Sequence, residues 1–119
     1  MNKKHVEDVV SFCRSAVEPA IETVNHANVL SGEYISTTWL HYYDAESGYS
    51  VGVWEAGSFR EAFISEQNEY CHLLEGVVRL TDSEGKSEDY SQGDSFVIPA
   101  GFDGVWENIV TVRKYFVIS

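Results

Sequence analysis

The residue best suited to chemistry in this sequence is Glu69, which begins the largely apolar run EYCHLLE. If this run is a strand, alternation puts Glu69 and Cys71 on one face and His72 on the other. Burial raises the pKa of a carboxyl group unless a cation or several donors hold it charged. Glu69 is therefore predicted to be either a catalytic or binding carboxylate or one half of a structural ion pair with Arg60 or Arg113, and both interpretations stay open.

Two tryptophans, Trp54 and Trp106, each follow a Gly-Val pair and could form the walls of a small-molecule site. Large aromatic residues in strands usually fill core space, so simple packing is the competing interpretation. Aromatic walls beside one carboxylate suit a small amino- or ureido-containing molecule. Besides Glu69, the predicted ligand-binding residues are Trp54, Arg60, Cys71, Trp106 and Tyr115.

The histidine and cysteine residues give little support to nucleophilic catalysis. A thiol nucleophile at Cys71 needs an activating base nearby, and none is evident. His72 is better explained as a hydrogen-bonded polar group in an outer or subunit contact. Cys13 and Cys71 do not make a disulfide framework, and with no secretory leader evident they predict reduced thiols and a cytoplasmic protein.

The elements that must position these residues are short β-branched and aromatic runs after Gly32, a pattern typical of an all-β sandwich or barrel. Two runs, 70–74 and 95–98, are apolar on both faces, which predicts strands covered by a barrel interior and by a second sheet or subunit. An uncovered face and an open edge would be costly, so a homodimer is expected. The predicted strands are 34–41, 49–55, 58–64, 69–75, 77–81, 87–90, 94–98, 104–108 and 111–118.

The segment before these strands has a different periodicity. Apolar residues recur at helical spacing between residues 6 and 17, which predicts an amphipathic helix over 4–17 with Cys13 on its buried face. Pro19 suits the first turn of a second short helix. We therefore expect an N-terminal helical appendage over 1–30 and a β-barrel domain over 31–119.

The length and charge of the chain limit the classes of partner that it can bind. The chain has 119 residues, a length that suits one domain with its own core. Its 19 Asp and Glu against 8 Lys and Arg give a formal net charge of −11. Such a charge repels phosphate backbones and anionic lipid surfaces, so neither nucleic-acid nor membrane partners are expected. A small-molecule ligand is the expected partner besides a second copy of the chain.

Several segments resemble those of a known family. The sequence GDSFVIPAG at 93–101 resembles the second cupin motif, and Glu69, seven positions before Gly76, resembles the closing half of the first. With GVWE at 52–55 and again at 104–107, and the ending VRKYFVI, the chain resembles the small cupins grouped with the ureidoglycine aminohydrolase cupin domain. This resemblance covers about residues 29–118. It implies an all-β, cupin (RmlC-like) antiparallel jelly-roll β-barrel, often dimeric, with any site inside its mouth.

The resemblance also implies where a metal would bind. Metal-binding cupins usually supply His-x-His shortly before the glutamate, but residues 62–65 contain no histidine. A later histidine position is occupied by Gly104, although Asn108 stands at its usual place. Transition-metal sites need three or four N, O or S ligands. No usual metal centre and no other cofactor is expected, while an unorthodox divalent metal site is left open.

Together these features predict a metal-poor cupin that binds a small polar metabolite at the barrel mouth. One alternative is an aminohydrolase or isomerase resembling ureidoglycine aminohydrolase, with Glu69 as acid or base. Another is a structural or regulatory subunit that docks through its N-terminal helices. The sequence does not identify the ligand, the substrate or the partner.

Overall fold

Two antiparallel sheets form a jelly roll in the computed structural model, which describes residues 2–119. The six-stranded sheet has the order β1-β2-β3-β10-β5-β8, and the four-stranded sheet has the order β4-β9-β6-β7. All nine predicted strands are present, with bounds within three residues of those expected. The strands are β1 Ala20–Val24, β2 Tyr34–Asp44, β3 Tyr49–Ala56, β4 Phe59–Ile64, β5 Glu69–Glu75, β6 Val77–Asp82, β7 Ser87–Ser91, β8 Ser95–Ile98, β9 Asp103–Asn108 and β10 Val112–Ile118.

The predicted N-terminal helices are wrong. The helix expected over 4–17 is reduced to one 3-10 turn, Val6–Asp8, and Cys13 is exposed rather than buried. The second helix, expected from Pro19, is replaced by β1, which pairs antiparallel with β2 and forms an edge of the six-stranded sheet. A short amphipathic helix is marginal without an apolar surface to pack on. The segment rich in β-branched residues instead forms β1, whose backbone hydrogen-bonds to the edge of β2 that would otherwise be exposed.

Alternate residues of the central strands face the space between the sheets. On β5, Cys71 and Leu73 are fully buried. On β10, Val112, Lys114 and Phe116 are buried in the same alternation. One inward position of β10 is therefore Lys114, and its ammonium group lies in the interior.

The outer face of the six-stranded sheet carries the other half of this alternation. His72 lies there, with its Nδ1 2.8 Å from the hydroxyl oxygen of Ser95 and its ring stacked against Tyr115, so the predicted opposition of His72 to Glu69 is confirmed. Phe12 of the N-terminal segment crosses this face and stacks on His41. Farther along this face, Val97 stays 63% exposed within the described chain.

No helix among the described residues is long and apolar enough to cross a membrane.

Candidate functional site

A cavity of about 530 Å³ lies between the two sheets and is large enough for a small metabolite. It combines aromatic walls with ionisable groups, which is the usual composition of a small-molecule site. Its aromatic residues include Trp54, Phe59, Phe63, Trp106 and Phe116. Its ionisable residues include Glu18, Glu61, Glu69 and Lys114.

The buried end of the cavity is built around an ion pair between β10 and β5. Lys114 Nζ donates a hydrogen bond to Glu69 Oε2 at 2.7 Å, and the two side chains are 7% and 23% exposed. The ammonium also lies over the rings of Trp54 and Trp106, at 4.8 and 4.2 Å from their centroids. A buried ammonium is tolerated only when anions or ring faces replace its water. The carboxylate and the two indoles together supply that replacement.

Both members of this pair are charged at neutral pH. Burial alone raises the pKa of Glu69, but the charge and hydrogen bond of Lys114, with a hydrogen bond from Cys71, hold it below its ordinary value. Burial alone lowers the pKa of Lys114, and the charges of Cys71 and Glu69 reverse that effect and raise it. The Cys71 charge acts only where the thiol ionises. Near neutral pH, Glu69 is therefore the anion that keeps Lys114 protonated.

Cys71 supports the carboxylate rather than acting as a nucleophile. Its Sγ donates to Glu69 Oε2 at 3.2 Å and lies 3.6 Å from Lys114 Nζ. Burial is the main cause that raises the pKa of Cys71 to about 12, and Lys114 only partly opposes it. A thiol with so high a pKa stays protonated at neutral pH and attacks poorly. Its role here is to hold Glu69.

Asn108 fixes the position of one indole. Trp106 Nε1 donates to Asn108 Oδ1 at 2.7 Å, and Asn108 Nδ2 donates to the carbonyl oxygens of Ala56 at 3.2 Å and Gly57 at 3.0 Å. The Asn108 side chain is almost completely buried. It therefore ties β9 to the end of β3 and turns the Trp106 ring towards Lys114.

A part of the cavity lining, here called the mouth, is formed by Tyr34 and Glu61, which are both partly exposed. The Tyr34 hydroxyl donates a hydrogen bond to Glu61 Oε1, and the Tyr34 ring stacks on Phe59. His26 Nε2 lies 3.3 Å from Glu61 Oε2. Burial, followed by the hydrogen bond and charge of Glu61, raises the pKa of Tyr34, so its hydroxyl remains a donor. Sequence analysis did not identify this group, because its members lie far apart in the chain.

The structure brings together four of the six predicted site residues. Glu69, Trp54 and Trp106 line the cavity, and Cys71 contacts Glu69 at its buried end. The other two predicted residues, Arg60 and Tyr115, lie outside it.

The predicted placement of Arg60 and Tyr115 at the barrel mouth is wrong. Arg60 is an exposed residue on the face of β4 opposite Phe59, and its Nε lies 3.7 Å from a carboxylate oxygen of Glu107. Tyr115 is 41% exposed on the outer face of the six-stranded sheet. Both errors follow from strand alternation, because neighbours of an inward residue point outward.

The predicted ion-pair partner of Glu69, Arg60 or Arg113, is also wrong. Arg113 pairs with Glu55 at 3.3 Å instead, and Lys114 takes the place expected for Arg60 or Arg113. A signal was present in VRKYFVI, where alternation groups Lys114 with the apolar Val112 and Phe116. A lone lysine in an inward series indicates a buried, paired ammonium.

The donor set does not fit a transition metal. Among residues 2–119, no three His, Cys, Asp or Glu side chains lie close enough to share one ion. At Gly104, any Cβ atom would overlap the carbonyl oxygen of Thr81, so this backbone has no room for a histidine there. The ammonium of Lys114 already neutralises the one carboxylate of the cupin ligand set that is present.

We expect the free energy of unfolding to fall at both extremes of pH because of this pair. The folded pKa of Glu69 lies below 4.5, so its contribution is full above pH 4.5 and is lost as the pH falls through the folded pKa. The folded pKa of Lys114 lies above 10.5, so its contribution is full below pH 10.5 and is lost as the pH rises through the folded pKa. Urea unfolding across this pH range is the measurement. A doubly substituted Glu69→Leu, Lys114→Met chain with equally steep acid and alkaline losses would contradict the assignment.

Comparisons with known proteins agree with this geometry at the level of the fold. A family model described as the EutQ-like cupin domain matches residues 44–116. The search of curated proteins found no match.

Similar folds occur among solved structures. A protein of unknown function from Pseudomonas syringae superposes with a TM-score of 0.78 at 20% identity over 89% of this chain. The chain spans only 45% of that protein. An ethanolamine utilization protein Q from Salmonella typhimurium gives a TM-score of 0.64 at 14% identity, over 87% of this chain and 97% of its own. A Thermotoga maritima protein is 31% identical over 54% of this chain and 73% of its own, with a TM-score of 0.52.

Proposed function

Because this chain belongs to the EutQ-like cupin domain family, we propose that it binds a small polar metabolite between its two sheets without the metal centre usual in cupins. One fold hosts many functions, so function depends on the residues of the site rather than on the fold. The observation that carries it is the Glu69–Lys114 pair, which is held between two indoles at the buried end of a cavity of about 530 Å³.

One carboxylate oxygen of this pair is left for a ligand. Glu69 Oε2 accepts hydrogen bonds from Lys114 and Cys71, whereas no residue in the described part of the chain donates to Oε1. The Glu69 side chain lines the cavity and stays partly accessible. An ionised carboxylate oxygen in an apolar cavity favours an N–H donor. This supports an amino- or ureido-containing ligand, with Trp54 and Trp106 contacting its body.

The test is a thermal-shift screen of amino- and ureido-containing metabolites, run with and without divalent metals and then with a chelator. We expect binding compounds to raise the melting temperature equally in all three conditions. Trp54→Leu should weaken their binding at least tenfold, about 1.4 kcal/mol, by calorimetry. Trp39→Leu is the matched control, because Trp39 lies under Arg113 on the outer face. Binding that needs a metal, or is lost equally in both variants, would contradict the proposal.

The enzymatic alternative has less support. At neutral pH, Cys71 is a protonated thiol and therefore a weak nucleophile, and the ammonium of Lys114 has no lone pair for nucleophilic attack. The closeness to ureidoglycine aminohydrolase cupins stays a prediction, as does a cytoplasmic location.

We also propose that the outer face of the six-stranded sheet forms a two-fold homodimer. Tyr70, Val97 and Tyr115 are large apolar or aromatic residues that the described chain leaves 38%, 63% and 41% exposed. A second copy would remove this surface from water. Sedimentation should give a dimer at micromolar concentration, and Val97→Lys should shift it towards monomer, while Ile64→Lys on the other sheet should not. A wild-type monomer that does not aggregate would overturn this prediction.

A further inference from the structure

The lining of the cavity holds uncompensated negative charge. Three carboxylates, of Glu18, Glu61 and Glu69, line the cavity against the single ammonium of Lys114. Lys114 is committed to Glu69, so the carboxylates of Glu18 and Glu61 remain. Glu18 has no hydrogen bond or ion pair within residues 2–119, and the nearest basic group to Glu61 is the His26 ring, which is charged only when protonated. A free anion entering here would be repelled.

Aromatic rings stand beside these carboxylates. Alternation along β4 puts Phe59, Glu61 and Phe63 on the cavity face. The Tyr34 ring stacks on Phe59 with centroids 3.7 Å apart, and its hydroxyl fixes Glu61 Oε1. Carboxylates combined with ring faces attract organic cations by charge and by the ring quadrupole. Each carboxylate oxygen can accept two hydrogen bonds, so Glu61 keeps capacity for a ligand besides Tyr34 and His26.

We propose that the ligand of this cavity is an organic ammonium ion whose charged nitrogen binds at Glu61, with Glu18 adding to the negative charge of the lining, and whose apolar body extends towards Trp54 and Trp106. This inference rests on the proposed function and names the ligand class of that same site. The ammonium supplies the positive charge that the mouth lacks, and the aromatic walls accept the carbon skeleton. Small carboxylic acids and phosphates are excluded by the same charges.

The test uses three probes that share one ring and differ in charge: 2-phenylethylamine, 2-phenylethanol and phenylacetate. Titrations at low salt, followed by NMR, should show the amine binding at least tenfold more tightly than the alcohol, with phenylacetate weakest. Glu61→Gln should reduce amine affinity at least tenfold while leaving the alcohol unchanged. Glu107→Gln is the matched control, because Glu107 also lies on the four-stranded sheet but pairs with Arg60 outside the cavity. Glu18→Gln gives a second variant if Glu61→Gln does not fold.

The outcomes separate this inference from the function on which it rests. Equal binding of phenylacetate and the amine, or an amine preference that survives both Glu61→Gln and Glu18→Gln, would overturn the ammonium assignment and leave a metabolite-binding cavity standing. Failure of all three probes, while a screened metabolite without an ammonium group binds with dependence on Trp54, would overturn the ammonium assignment alone. Failure of the probes and of the whole screen would overturn both.

Discussion

Glu69→Gln is expected to lower the free energy of unfolding by about 3 kcal/mol, because it leaves the buried Lys114 ammonium without its anion. Glutamine keeps the size of the side chain, so the loss reports charge rather than packing. Urea unfolding near neutral pH, where both groups are charged in the native chain, is the measurement. Ligand affinity measured on the same variant shows how far Glu69 also serves binding.

Removing both charges should cost much less than removing one. Glu69→Leu combined with Lys114→Met replaces the pair by apolar groups, and such replacements of buried pairs are often neutral or stabilising. The double-mutant cycle completed by the single variants Glu69→Leu and Lys114→Met should therefore show strong coupling between the two positions. Asp89→Asn is the surface control, because it breaks the ion pair of Asp89 with Arg79, two exposed residues, and should change stability far less. A Glu69→Gln chain as stable as the native one would contradict the buried-pair assignment.

Asn108→Ala is expected to lower the free energy of unfolding by about 3 kcal/mol and to loosen the Trp106 indole. The substitution leaves the Trp106 N–H and the Ala56 carbonyl oxygen without this partner in a buried place, and it also removes the part-buried hydrogen bond to the Gly57 carbonyl oxygen. Each unsatisfied buried group costs about 1–3 kcal/mol, and the small cavity left behind adds to the loss.

Urea unfolding measures this loss, and tryptophan fluorescence follows the indole. Asn68→Ala is the matched control, because Asn68 Oδ1 accepts one hydrogen bond from the Ala100 amide in an exposed segment. We expect that variant to remain close to the native chain. An Asn108→Ala chain that unfolds at the native urea concentration with native fluorescence would contradict the role given to Asn108.

Much of the fold was predictable because it depends on local properties. Turn glycines such as Gly93 and Gly101, both with positive φ, and a period of two in the apolar residues locate the strands without knowledge of their partners. The same period put Glu69 and His72 on opposite faces. At the N-terminus the local period was misleading. The helical spacing over 4–17 predicts an amphipathic helix, but a helix there has no apolar surface to pack on. The segment that follows pairs with β2 and forms a strand.

The sequence by itself determined the nine strands after Gly32, the cupin motifs and the inward direction of Glu69, since each follows from side chains a few positions apart. Only the tertiary structure decided which cation meets that carboxylate. β10 pairs with β5 through a bulge between Arg113 and Lys114, in a register that places Ile118 opposite Glu69. A one-residue shift of a strand turns every side chain to the other face, so the bulge and register select Lys114 over Arg113. The bulge and the register depend on packing along the whole sheet. Lys114 and Glu69 lie 45 positions apart in the chain, so no local sequence pattern relates them.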